Sequence, residues 1–250
     1  LMPEIPRDVF MDGLIELIHL DKNWVPDMLD HSLYIRPFLY ASSEFIAARP
    51  SEEFTFCVLC TPVGPYYSGA VAVKIETEFA RAAGGGIGYT KAAGNYGGAF
   101  YPTAQAIKEG YNQVIWTDHK EHKYIEESGT MNLMLVLGDK LVTPPLTDRI
   151  LSGITRKAII ELTKSWGWEV EERAISVDEI VEHAKDGTLK EAFGVGTAAV
   201  VSPINRIGFH GEDFVIPTPQ DGKGMQIKAG LNEIRMGEVE DNFNWMVHVK

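Results

Sequence analysis

The run Gly84-Gly85-Gly86-Ile87-Gly88-Tyr89-Thr90-Lys91-Ala92-Ala93-Gly94-Asn95-Tyr96-Gly97-Gly98 places one lysine between two glycine clusters. Glycine lets the backbone approach a ligand, or turn through positive φ, without a Cβ clash, so clusters on both sides mark a crowded site. An amine held in such a place is a nucleophile toward carbonyl carbon, which is Schiff-base chemistry. On these residues alone, a flexible surface loop carrying a solvated lysine is an equal reading. A phosphate loop is not. The nucleotide-binding loop ends in Gly-Lys-Ser/Thr, whereas Lys91 follows Thr90 and precedes Ala92, and nothing fixes the strand–turn–helix unit of a dinucleotide fingerprint.

Two other groups could do chemistry. Cys57 and Cys60 form a C-x-x-C within Phe54-Thr55-Phe56-Cys57-Val58-Leu59-Cys60, which reads as a buried strand. Residues three apart on a strand face opposite ways, so the thiols would not meet. A redox pair sits at a helix start and a zinc site needs a second ligand pair, so these are expected to be buried structural thiols. His119 and His122, beside Asp118, could share a metal if they lay on a helix. The charge order and flanking strand patterns favour a solvated hairpin tip, and no metal is expected.

The elements that position these residues come from a chain of 250 residues, 45% hydrophobic and 23% charged, with ordinary globular composition. A net charge of −12, from 23 basic and 35 acidic residues, argues against nucleic-acid or anionic-membrane partners. There is no apolar run of membrane-spanning length and no basic-then-apolar signal layout, so a cytoplasmic protein is expected. Helical spacing runs from Asp8 to Leu20 after Pro6. Ser32 to Ala41 and Phe54 to Thr61 read as strands, with a short helix over Ser43 to Ala48 between them. The Pro/Gly-rich segment 62–69 reads as an interdomain linker. Strand-like runs follow at Val71–Ile75, Gln113–Trp116 and Met131–Leu137. Helices are expected at Thr103–Glu109, Ile154–Ser165, Val177–Ala184 and Gly224–Met236, the third opened by the capping box Ser176-Val177-Asp178-Glu179. Interleaved strands and helices give an α/β or α+β class.

Six pieces stand in a fixed order around Lys91: Ser32-Leu33-Tyr34-Ile35-Arg36-Pro37, Pro62-Val63-Gly64-Pro65-Tyr66, Lys91 with Gly94-Asn95-Tyr96, Glu127-Ser128-Gly129-Thr130-Met131-Asn132, Ser152-Gly153-Ile154-Thr155-Arg156, and Gly194-Val195-Gly196-Thr197-Ala198. In this order they closely resemble the branched-chain amino-acid aminotransferases, pyridoxal-phosphate enzymes of fold type IV. The resemblance implies two domains: residues 1–61 as the later part of a small α/β sandwich domain, and 70–250 as a large cofactor-binding domain built on a pseudo-barrel. It implies transamination of L-leucine, L-isoleucine and L-valine with 2-oxoglutarate by a homodimer.

By the same resemblance, Lys91 holds pyridoxal 5'-phosphate and shuttles the proton. Glu127 pairs with the pyridine nitrogen, leaving Glu126 as the surface acid of the pair. Tyr96 would bond the ring hydroxyl, where its residue type alone favours a core tyrosine. Ile154 and Thr155 form the phosphate turn, and Thr197 touches both phosphate and substrate carboxylate. Ala198 lends the carboxylate its backbone N–H and Thr130 belongs to the substrate pocket, although Gly196-Thr197-Ala198 also reads as a plain tight turn into a strand at Val200–Ser202. Tyr34 and Arg36 alternate on one strand and so share a face. The resemblance gives that face to the substrate, with the arginine taking the distal carboxylate of glutamate; a structural salt bridge is the other use for Arg36. Tyr66 would be apolar wall.

The family also carries a phosphate-binding arginine and an aromatic substrate contact early in its chain. This sequence starts at Leu1 and reads as one that has lost its beginning, so neither group is assigned. Sibling readings are a D-amino-acid aminotransferase or an aminodeoxychorismate lyase, and a reading from another class is a non-catalytic fragment or paralogue.

Overall fold

Alternating aromatic and branched residues in β1 (Ser32–Ala41) and β2 (Phe54–Val63) build one antiparallel pair, with Tyr34 opposite Thr61 and Arg36 opposite Leu59. The computed structural model describes residues 2–28, 31–64 and 69–249. The chain divides into two compact units, residues 1–66 with 242–250, and residues 67–241. The last nine residues thus group with the first unit instead of the second, where the sequence reading kept them. The stretch 65–68 of the expected linker, Tyr66 included, lies outside the described residues.

In the first unit, α1 (Arg7–Asp21) follows Pro6, whose ring fixes φ at −53°. The Phe10 ring of α1 lies 5.6 Å from that of Phe56 of β2, tilted by 34°, but no α1 residue is buried. Pro37 sits within β1, a position open to proline where the ladder does not need its N–H. The helix expected over Ser43–Ala48 is not formed. Ser43 Oγ accepts the backbone N–H groups of Glu52 and Glu53 at 3.0 and 2.9 Å, and such side-chain bonds compete with helical ones. Cys57 and Cys60 are free thiols and only half-buried, a correction to their expected burial.

The second unit contains β3 (Val71–Ile75), α2 (Ala93–Gly97), α3 (Phe100–Lys108), β4 (Gln113–Thr117), β5 (Ile125–Ser128), β6 (Met131–Leu137), β7 (Lys140–Thr143), α4 (Ile154–Ser165), β8 (Val170–Glu172), α5 (Val177–Asp186), β9 (Leu189–Gly196), β10 (Val200–Phe209), β11 (Glu212–Val215) and α6 (Lys223–Met236). The strands run β11-β10-β3-β4-β5-β6-β7-β8, and β9 pairs with both β10 and β6. That double pairing closes β3, β4, β5, β6, β9 and β10 into a ring, the pseudo-barrel of fold type IV. Every residue of β6 is buried, which is why it reads as an almost continuous apolar run instead of an alternating one. Val73, Ile115, Leu133, Leu135, Ile204 and Ile207 form the fully buried centre. Ser176 Oγ accepts the N–H of Glu179 at 3.0 Å, as the capping box requires, and α5 ends on left-handed Gly187. Helix α3 starts at Phe100, ahead of expectation, because Pro102 falls in its first turn, where no N–H is needed. Among the described residues no helix is long and apolar enough to cross a membrane.

Candidate active site

Strand β5 carries two adjacent carboxylates, Glu126 and Glu127, which point to opposite faces, yet each is only 3% exposed. A buried carboxylate needs a partner, and each has its own arginine. Arg81 Nε lies 3.0 Å from Glu127 Oε2, although its N–H is not aimed along that line, so the contact is electrostatic and not a hydrogen bond. Glu127 Oε1 accepts the backbone N–H of Leu151 at 2.6 Å. Glu126 is ion-paired to Arg149 Nε, which overturns its reading as a surface acid. Burial pushes the Glu127 carboxyl up to about 7, against the lowering influence of Arg81, the Leu151 N–H and Lys91, while Glu126 adds to the rise. Burial raises Glu126 as well, opposed chiefly by Arg149.

Lys91 sits just ahead of α2. Its Nζ donates to Tyr96 Oη at 3.0 Å and lies 5.1 Å from the centre of that ring. The glycine run before it is held in place. Asn95 Nδ2 donates to the carbonyls of Ile87 and Thr90, each at 2.9 Å, and the Thr90 N–H returns to Ile87. These bonds tie the glycine run to Asn95 and leave an exposed amine at its end.

The segment 148–153 ties these parts together. The Tyr89 N–H donates to the Asp148 carbonyl, the Gly85 N–H to the Asp148 carboxylate, and Asn132 Nδ2 to the Leu151 carbonyl at 2.9 Å. The segment then enters α4 at Gly153, which has no side-chain cap, so the first-turn N–H groups are available to an anion. Thr155 is buried and Ile154 exposed on that turn. A Cβ at Gly153 would lie 2.1 Å from Asn132 Oδ1.

Register places two further turns nearby. Glu127 pairs with Asn132, and Asn132 with Val195, so the β5–β6 turn Gly129-Thr130 and the β9–β10 turn Thr197-Ala198-Ala199 lie at one end of β6. Thr130, Thr197 and Ala198 are exposed there. Val200 closes the second turn at φ +54°, costly for a β-branched residue and a mark of a constrained loop.

Tyr34 and Arg36 belong to the first unit, where Arg36 Nη2 donates to Tyr34 Oη at 3.1 Å. Among the described residues Arg36 has no carboxylate partner. Tyr66 lies outside the described residues. Asp118 accepts the backbone N–H groups of Lys120, Glu121, Lys123 and Tyr124 at the β4–β5 hairpin tip, and no metal-ligating cluster occurs among the described residues. The sequence reading missed Arg81, Arg149 and the Leu151 N–H. The one available signal was an isolated cation in Phe79-Ala80-Arg81-Ala82-Ala83, a stretch otherwise small or apolar.

An amine beside a phenol, a buried carboxylate within its field and an uncapped helix N-terminus fit an aldehyde cofactor with a basic ring nitrogen and a phosphate. The comparisons agree. The family model of class IV amino-transferases matches residues 1–207. The branched-chain-amino-acid transaminase 1 of Bacillus subtilis is 40% identical over 253 residues, covering 99% of this chain and 71% of that protein. The branched-chain amino acid aminotransferase structure from Escherichia coli superposes with a TM-score of 0.78 at 28% identity, over 99% of this chain and 77% of that one. The pyridoxal-phosphate holo-form of the Thermobaculum terrenum enzyme shares the fold, with a TM-score of 0.77 at 23% identity over 100% of this chain and 77% of that one.

Proposed function

This chain belongs to the class IV amino-transferases, among the branched-chain amino-acid aminotransferases, and on that premise we propose that it moves the amino group of L-leucine, L-isoleucine or L-valine to 2-oxoglutarate, giving branched-chain 2-oxo acids and L-glutamate. The observation that carries this reading is Lys91 Nζ held 3.0 Å from Tyr96 Oη within the field of buried Glu127. Pyridoxal phosphate, when bound, supplies the aldehyde and an electron-withdrawing ring. Lys91 Nζ would hold the cofactor at its aldehyde carbon and would serve as the base for the proton on the substrate α-carbon. Tyr96 Oη orients the ring by its hydroxyl. The Glu127 carboxylate holds a proton at the ring nitrogen.

The N–H groups of the first turn of α4 bind the phosphate, with Ile154 and Thr155 contributing and Thr197 as a second contact. Thr197 and the Ala198 N–H orient the substrate carboxylate, and Thr130 lines the same pocket. By the family resemblance Tyr34 and Arg36, which bond to each other in the first unit, would meet the substrate, with Arg36 supplying a charge for the distal carboxylate of glutamate. We assign the protein to the cytoplasm, as a homodimer.

The test is an absorbance spectrum with added pyridoxal phosphate, before and after L-leucine, on wild type and Lys91→Ala. A visible band that leucine bleaches and that Lys91→Ala never forms supports the reading. A band that ignores leucine but bleaches with D-alanine moves the substrate to a sibling enzyme, and no band in wild type rejects the assignment.

A further inference from the structure

We propose that Arg81 is a positioning residue, which biases Glu127 toward its carboxylate form and ties it to both the lysine-bearing segment and the segment that leads into α4. The inference rests on Glu127 as the acid for the cofactor ring. It arises from a closed circuit of contacts. Arg81 leaves the loop after β3 with its side chain 5% exposed and sets Nε 3.0 Å from Glu127 Oε2. Its Nη2 donates to the Gly88 carbonyl at 2.9 Å, three residues before Lys91, and to the Arg149 carbonyl. Two residues beyond Arg149, the Leu151 N–H returns to Glu127 Oε1. One guanidinium therefore touches the carboxylate, the approach to the amine and the approach to the phosphate turn.

Arginine is needed for this, because the circuit wants a charge in one direction and N–H donors in another. A lysine ammonium is a single point and cannot span both. The charged groups facing Glu127 are Arg81 from the loop, Glu126 on its own strand and Lys91 at the end of the glycine run. Arg149, from the 148–153 segment, is committed to Glu126, and β6 offers only the neutral Asn132. Arg81 is thus the main cation working against burial at Glu127. Removing Arg81 would leave burial less opposed and push Glu127 further toward its neutral form.

The test is a carboxylate ¹³C NMR titration of the apoprotein labelled at glutamate, with the Glu127 signal assigned by Glu127→Gln. Arg81→Met is expected to raise the Glu127 midpoint by about one to three pH units, and Arg81→Lys, which restores the charge but cannot span both directions, to bring back only part of that. A midpoint unmoved in Arg81→Met overturns the proposal. If Arg81→Met does not fold, the wild-type Arg81 ¹⁵Nε signal serves instead. It should show a step at the Glu127 midpoint that Glu127→Gln removes, and a flat signal overturns the proposal equally. The titration contains no cofactor, so it stands apart from the role of Glu127 at the ring. That role fails separately if Glu127→Gln leaves the affinity and bound spectrum of pyridoxal phosphate unchanged.

Discussion

Lys91 Nζ donates to Tyr96 Oη at 3.0 Å across the start of α2, so the amine and the phenol reach a ligand as one unit. Removing the amine removes the nucleophile, while removing the phenol takes away one orienting bond. Lys91→Ala should lower single-turnover deamination of L-leucine by more than about 10³-fold, and Tyr96→Phe by about 10- to 100-fold. Lys91 is exposed, so thermal unfolding of the apoprotein should shift by no more than about 0.5 kcal/mol in stability. A Lys91→Ala variant that retains turnover would move the nucleophile elsewhere.

Buried Glu127 makes the apoprotein's stability depend on pH in an unusual direction. Its carboxyl is pushed from 4.5 to about 7 in the fold, so between those values the native state holds a proton that the unfolded chain has released. The native state binds more protons in that window, and stability falls as pH rises through it, by roughly 3 kcal/mol. Glu127→Gln should remove its share of this slope, leaving what Glu126, also raised by burial, contributes. Urea unfolding of the apoproteins at pH 5 and pH 8 checks it, and parallel behaviour of wild type and variant would show that Glu127 does not titrate there.

Arg149 compensates Glu126 through Oε1, while the side chain is 4% exposed and its Oε2 has no hydrogen-bond partner. Arg149→Leu leaves a buried charge alone and should cost about 3 kcal/mol. Adding Glu126→Gln to that variant should recover most of the loss, because the charge is then gone. Denaturant midpoints of the two single variants and the double variant decide it. Additive losses would mean that the ion pair contributes little.

Much of this was legible in the sequence because local chemistry and tertiary demands coincide. The Ser176 cap, the alternation of β1 and the apolar run of β6 are each specified by neighbouring residues. Strands β7, β8, β9 and β11 were missed although turns announce two of them: Gly138-Asp139 and His210-Gly211 each join paired strands across two residues, with Gly138, His210 and Gly211 at positive φ. The expected helix at Ser43–Ala48 failed because Ser43 binds the N–H groups of Glu52 and Glu53, some ten residues away, which periodicity cannot register. Lys91, Tyr96, Glu127 and Thr155 were singled out as candidates through their order along the chain. Arg81 and Arg149 were not, because their role depends on which carboxylate each one meets across the fold.

Gly88 tests how tightly the 148–153 segment is drawn against the glycine run. A Cβ there would lie 2.4 Å from Ala82 Cβ and 2.8 Å from Arg149 Cα. The second obstacle is backbone, so it yields only if the whole segment moves. Moving it also stretches the Arg81 bonds to the Gly88 and Arg149 carbonyls, and with them the Leu151 N–H on Glu127. Gly88→Ala should therefore cost about 2 kcal/mol as an overpacking change and weaken pyridoxal phosphate binding by about tenfold or more, a misplacement effect. Gly13→Ala is the control. It sits in α1 with nothing within 4 Å of the new Cβ, and should stabilise slightly, by about 0.5 kcal/mol. Unfolding curves and a cofactor-fluorescence titration on both variants make the comparison. A Gly88→Ala protein as stable as wild type and equally tight for cofactor would show that the glycine run needs no such close approach.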